Sequence, residues 1–434
     1  MATKRTEIDS TQLIHHPYVA PKDFESPQLP LYKASTVIFP SVQEMKRRRW
    51  QDKSAYTYGL HGTPSTFVLE ERLASLEGGL FCTLAPSGLS AIAHVHMALL
   101  QTGDHVLVPD NVYGPNVTML ERLLSQFGVT SSRYDPLSVE DFKRELRPQT
   151  RLVWLEAAGS VTMEFPDVVG LVQVIKAHNA EMGNHSNSSD QAQAKSQSQS
   201  QSQSQSQTEN HRPVLCALDN TWGAGLAFNA FDAGVDLTVH ALTKYPSGGA
   251  DVLMGSVVTC SKEIARAVSN AHMYMGTGVG AHDVDAILKG LHSLVLRYDA
   301  QDKAARVVAK HLLTEPSIQE VFHPFLPHSP GHEHWKALCV NEERPEGRAA
   351  GIFSVRFHAQ YTVSQVEGFC DRLKRFKIGY SWGGPMSLVV PYDIPSMRAK
   401  SGKRWDSGVV VRFCIGLENP LDLIEDLRES LKQL

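Results

Sequence analysis

Two residue types able to do covalent chemistry fall close together in the stretch Ala217–Gly255. Val214–Leu218 is apolar and short enough for a buried parallel strand, and it ends at Asp219. Gly234–His240 alternates as the next strand would, and Lys244 follows just past its end. Open α/β sheets bind ligands beyond the carboxyl ends of their strands, so Asp219 and Lys244 would face one crevice. A lysine there can form a Schiff base once its pKa is lowered, and an aspartate can keep a pyridinium nitrogen protonated. That pairing suits pyridoxal 5'-phosphate. Taken alone it decides nothing. A lone lysine after a strand is usually solvated, and Asp-Asn at a strand end is usually a turn or a cap.

The elements that must position these residues alternate regularly. Gly78–Ala85 reads as a strand, followed by Pro86-Ser87-Gly88 and the apolar helix Leu89–Leu100. A strand, a tight Ser-Gly turn and a helix make an anion site from backbone N–H groups and the helix dipole. Asp104–Val108 is the next strand, with Tyr113 beyond it, where a ring can stack on a flat cofactor. Asn116–Phe127, Val129–Tyr134, Ser138–Leu146 and Thr150–Glu156 then read as helix, strand, helix and strand. Such alternation predicts a mostly parallel sheet with crossover helices. Thr63-Pro64 marks a helix start, preceded by Tyr56 and Tyr58 in a glycine-containing loop.

Residues 1–50 are interrupted by Pro17, Pro21, Pro27, Pro30 and Pro40, which predicts an extended arm packed on the body or on another subunit. Val168–Ala180 reads as a helix, and Gly183–Asn210, with Ser-Gln repeats at Ser196–Gln207, as a disordered surface insertion. Residues 283–313 read as one long helical stretch with a kink tolerated at Gly290, and a second unit is expected from near Pro316.

The 434 residues allow two domains, and the net charge of −4 gives no reason to expect nucleic acid or an anionic membrane. No stretch approaches the roughly 20 apolar residues of a membrane span, and the N-terminus has no apolar signal region. Six scattered cysteines without CxxC spacing argue against zinc and disulfides and for a reducing, cytoplasmic setting. None of the 19 histidines falls in a metal-ligand pattern, so no metal is expected.

In combination, YGLHGTP, LEGG, APSGLSAIAH, GDHVLVPDNVYGP, LDNTW, LTKY, SWGG and VRFCIGLE make the chain resemble the Cys/Met-metabolism family of pyridoxal-phosphate enzymes, fold type I. Within that family, GSVTMEFPD and Ser381-Trp382-Gly383-Gly384 resemble cystathionine β-lyases. The resemblance implies an α/β fold, with a large domain over 61–315 built on a mostly parallel seven-stranded sheet. It also implies a smaller C-terminal α/β domain over 316–434, and an arm over 1–60 reaching a neighbouring subunit. It implies that Lys244 carries the cofactor and moves protons, that Asp219 partners the pyridinium nitrogen and that Tyr113 stacks on the ring. Ser87, Gly88, Leu89 and Thr243 would cradle the phosphate. Tyr58 would reach the phosphate of a neighbouring subunit, which implies a homodimer with shared sites and a likeness to homotetramers. Arg412 would fork onto the substrate α-carboxylate, with Ser381 and Trp382 in the same pocket.

The implied reaction is β-elimination of L-cystathionine to homocysteine, pyruvate and ammonia. Alternatives are γ-elimination or γ-replacement on the same cofactor, and a non-catalytic binding protein. The chain departs from the family at Leu60, where an arginine is usual, and at Ala241, where a serine is common. It also has Ala157-Ala158 in place of Ser-Pro, and Pro385-Met386 in place of Tyr-Glu.

Overall fold

The structure, a computed structural model, describes residues 10–15, 22–23, 26, 28–51, 53, 55–194, 212–400 and 402–434. The Ser-Gln repeats lie outside them. Seven strands form the larger sheet: β1 (Phe81–Ala85), β2 (His105–Pro109), β3 (Thr130–Tyr134), β4 (Thr150–Glu156), β5 (Leu215–Asp219), β6 (Leu237–Ala241) and β7 (Gly255–Thr259). Their order is β1-β7-β6-β5-β4-β2-β3, with parallel pairing from β3 to β6 and antiparallel pairing only at β7. Central strands such as Leu152–Leu155 and Cys216–Leu218 are buried on both faces, so they read as unbroken apolar runs rather than alternating ones.

The second sheet has β8 (Ile318–Phe322), β9 (Ile352–Phe357), β10 (Lys377–Ile378), β11 (Leu388–Tyr392) and β12 (Val410–Cys414), ordered β10-β11-β12-β9-β8. Phe353, Phe357, Phe369, Phe376 and Phe413 fill its core. Ala304–Leu312 of the preceding helix also packs into that core. That helix therefore ties the second sheet to the first.

Several boundaries differ from expectation, each for a local reason. The strand expected from Gly78 begins at Phe81, because Gly78 instead caps the helix Pro64–Glu77 with a positive φ of 89°. The strand expected from Gly234 begins at Leu237, after a turn in which Gly234 itself has positive φ. The helix expected to stop at Ala180 runs from Val168 to Ala194, through a stretch free of proline. The single helical stretch over 283–313 is two helices, Ala281–Leu291 and Leu294–Leu312. At their junction Gly290 touches the loop after Lys244. A Cβ at Gly290 would lie 2.1 Å from the Pro246 carbonyl oxygen, and Arg297 donates to the carbonyls of Gly290 and Tyr245 at 2.7 and 2.6 Å. The break thus braces the lysine loop. The described part of the arm holds the short helices Ser10–Ile14 and Val42–Arg47 and is otherwise turns, bends and irregular backbone. Among the described residues no helix is long and apolar enough to cross a membrane.

Candidate active site

β5 and β6 run parallel, and each ends in a loop on the same edge of the sheet. Asp219 ends β5, and Lys244 sits three residues past β6. Both open onto a cavity of about 770 Å³ lined also by Ser87, Gly88, Leu89, Tyr113, Thr243, Ser381, Trp382 and Arg412. The two sheets meet here. β12 and its neighbouring loops bring Arg412, Ser381 and Trp382 over the carboxyl ends of the larger sheet's strands.

The lysine is held at its amine by two residues. Its Nζ donates to Ser381 Oγ at 3.0 Å and lies 5.6 Å from the Trp382 ring centre. Trp382 in turn meets Tyr245, which is fully buried, edge to face. Ser381 holds this place with a φ of 118°, a conformation a non-glycine residue rarely adopts. Burial first, and then the nearby Arg412 charge, lowers the Lys244 pKa to about 8, against the opposing pull of Cys414 and Asp219.

Burial pushes the Asp219 carboxyl up, while hydrogen bonds from Thr221 and the nearby charges of His240 and Lys244 act the other way. One of those bonds is Thr221 N–H donating to Asp219 Oδ1 at 3.0 Å. Arg412 is buried and stacks on Tyr392, 5.1 Å from its ring centre. A planar guanidinium fixed in this way presents its fork in one direction.

The other end of the cavity is backbone. Ser87 caps the helix Gly88–Leu99 and accepts from Ser90 N–H at 3.0 Å. Gly88 and Leu89 open the helix, where N–H groups have no partner within their own turn. A Cβ on Gly88 would lie 2.6 Å from the Ala241 Cβ, so the cradle exists only because both positions are small. Thr243 Oγ1 accepts from Met254 N–H at 3.3 Å. An acid for a ring nitrogen, an amine and a side-chain-free anion cradle along one cavity fit pyridoxal phosphate.

Tyr58 is the one expected site residue that does not line this cavity within the chain. It is half exposed and bridges to Thr36 in the arm. Leu60 and His61 line a separate cavity of about 280 Å³.

The sequence reading missed Glu156, Thr221, Tyr392 and Met397, all of which line the main cavity. Glu156 pairs in register with Asp219, and its Oε1 accepts from Tyr113 N–H at 2.6 Å. Burial, with the Asp219 charge, drives its pKa well up. It ends a strand as Asp219 does, so the strand-end rule that found one would have found the other.

The profile of the Cys/Met metabolism PLP-dependent enzyme family matches residues 10–183 and 202–432. The chain belongs to this family. Its members depend on pyridoxal phosphate, and the fold is the fold type I of the sequence reading. Over 401 residues the chain is 32% identical to cystathionine beta-lyase MetC of Escherichia coli K12, covering 92% of this chain and 91% of the relative. It is 29% identical over 415 residues to an L-alanine/L-glutamate racemase of Wolbachia pipientis wMel, covering 93% and 92%. A solved structure of metB from Corynebacterium glutamicum superposes with a TM-score of 0.81 at 23% identity over 98% of each chain, a likeness of fold.

Proposed function

We propose that this member of the family is a carbon–sulfur lyase that cleaves L-cystathionine by β-elimination to homocysteine, pyruvate and ammonia. The observation that supports it most is the group of Lys244, Asp219, Tyr113 and Arg412 around one cavity, with Trp382 beside the amine. Several similar proteins carry the name cystathionine beta-lyase.

Asp219 would hold the pyridine nitrogen protonated, Tyr113 would cover the ring, and Ser87, Gly88, Leu89 and Thr243 would cradle the phosphate. When bound, pyridoxal phosphate supplies an electron sink that acidifies the substrate Cα–H. Arg412 takes the α-carboxylate in a bidentate grip and so orients Cα toward Lys244. Lys244 as free amine accepts the Cα proton and, as ammonium, returns one to the leaving sulfur. A pKa of about 8 suits it to both acts near neutral pH. Ser381 and Trp382 keep the amine from swinging away. Tyr58 completes the phosphate end from a second copy of the chain, which makes the working unit a homodimer or a larger homo-oligomer. A cytoplasmic setting accords with six cysteines that form no disulfide.

Product analysis with L-cystathionine tests this reading. Pyruvate with homocysteine is expected. 2-Oxobutyrate with cysteine would make the chain a γ-lyase, and loss of optical activity from L-alanine without either keto acid would make it a racemase.

A further inference from the structure

We infer that Met397 is a size-selecting wall of the cavity and that Arg398 is the positioning residue that holds it in place. The inference rests on the lyase reading above and extends it to the part of the substrate beyond sulfur.

Residues 393–400 follow β11, which carries Tyr392, and lead toward β12, which carries Arg412. By sequence they belong to the smaller sheet. Their last four residues are nevertheless fastened to the larger one. Arg133 Nη1 donates to the Met397 carbonyl at 2.9 Å. The Arg398 guanidinium donates to Thr162 Oγ1 and lies 3.8 Å from Glu164 Oε2. Ala399 and Lys400 N–H donate to the two oxygens of Asp110 at 2.8 and 2.9 Å. Lys400 Nζ donates to Glu145.

The receiving groups are buried, with Asp110 4% and Glu164 6% exposed. Asn111 Nδ2 also donates to Glu164 Oε2, at 3.1 Å. Thr162 and Glu164 belong to the Thr-Met-Glu run of the sequence, to which no catalytic step assigns a role. Here that run is the seat of a latch.

The latch matters because Met397 belongs to the wall that two cavities share, together with Gly114, Pro115, Ser160 and Val161. It lines the main one, and it also lines a side cavity of about 300 Å³ together with Asp110, Asn111, Arg133 and Arg398. Moving or shortening Met397 would let the main cavity expand into the side one. Every β-substituted alanine presents the same amino-acid end to Arg412 and Lys244. A change at Met397 therefore falls on the group carried at Cβ. Removing the Arg398 fork leaves Glu164 buried without its cation, which releases the segment.

The test compares pyruvate release by the holoenzyme from β-chloro-L-alanine, L-cystathionine and S-benzyl-L-cysteine, in the wild type, Arg398→Ala and Met397→Ala. The ratio of kcat/KM for S-benzyl-L-cysteine to that for β-chloro-L-alanine is expected to rise about tenfold in both variants, through KM. An unchanged ratio would overturn the proposal. Arg398→Lys, which keeps the charge but loses the fork, is expected to fall between. Trypsin digestion of the folded proteins reads the latch without activity. Cleavage after Lys400 is expected to be faster in Arg398→Ala than in the wild type or Met397→Ala, and equal rates would overturn the latch. If the wild type released pyruvate from none of the three compounds, the lyase reading would fall and the trypsin comparison would still decide the latch.

Discussion

The two ends of the active cavity are built by different means. At the Asp219–Lys244 end, the proposed chemistry rests on ionisable side chains carried at or just past strand ends, with burial shifting their pKa values. At the Ser87–Leu89 end it rests on a helix N-terminus and on the smallness of Gly88 and Ala241. One end depends on what is present, the other on what is left out. The first should therefore fail abruptly on substitution. The second should fail by degrees, and only when atoms are added in the wrong place.

The largest effect belongs to the side-chain end. Lys244→Ala should abolish turnover, with at least the 10²–10⁴-fold of a general acid–base group lost (about 3–5 kcal/mol), and should remove the visible absorbance of the bound cofactor. Steady-state kinetics and an absorbance spectrum check both. Normal turnover would remove the distinction between the two ends.

The pH dependence sharpens the same end. Cofactor uptake by the apoprotein needs the free amine, whose fraction rises with pH. With the Lys244 pKa lowered from 10.5 to about 8, the uptake rate should climb tenfold per pH unit below that value and level off above it. Stopped-flow absorbance from pH 6 to 10 follows it. A rate still climbing at pH 10 would show an ordinary solvated lysine.

The backbone end should respond more mildly. Gly88→Ala would drive a methyl against Ala241 and weaken cofactor binding by about 1–3 kcal/mol, read as the dissociation constant in a fluorescence titration. Adding Ala241→Gly should restore part of the loss. Independent effects of the two changes would mean that the close approach does not shape the cradle. The smallest effect is expected of Ala241→Ser, which adds a hydroxyl beside the cradle. It should tighten binding by about 1 kcal/mol in the same titration, and weaker binding would mean that the cradle has no room for the hydroxyl.

The same contrast explains what the sequence made legible. Asp219 and Lys244 stood out because strand ends are visible in apolar runs and few residue types do covalent chemistry there. Gly88 stood out through spacing. Arg412 and Trp382 depended on resemblance, since nothing local ties β12 to a cavity more than a hundred residues away in sequence. Glu156 was overlooked although it follows the same rule as Asp219. Met397 and Arg398 were out of reach, because their roles come from contacts between the two sheets. At Gly290 the sequence allowed a kink where the structure has a full break, since the close approach of the Pro246 carbonyl is a tertiary contact that no helical periodicity records.

The central claim is that the cofactor is carried by Lys244. Borohydride reduction of the holoenzyme fixes an imine-linked pyridoxal group to its lysine, and digestion with mass spectrometry then locates it. The account predicts the label on the peptide containing Lys244, and its loss in Lys244→Ala. Label on another lysine, or unchanged labelling in the variant, would contradict it.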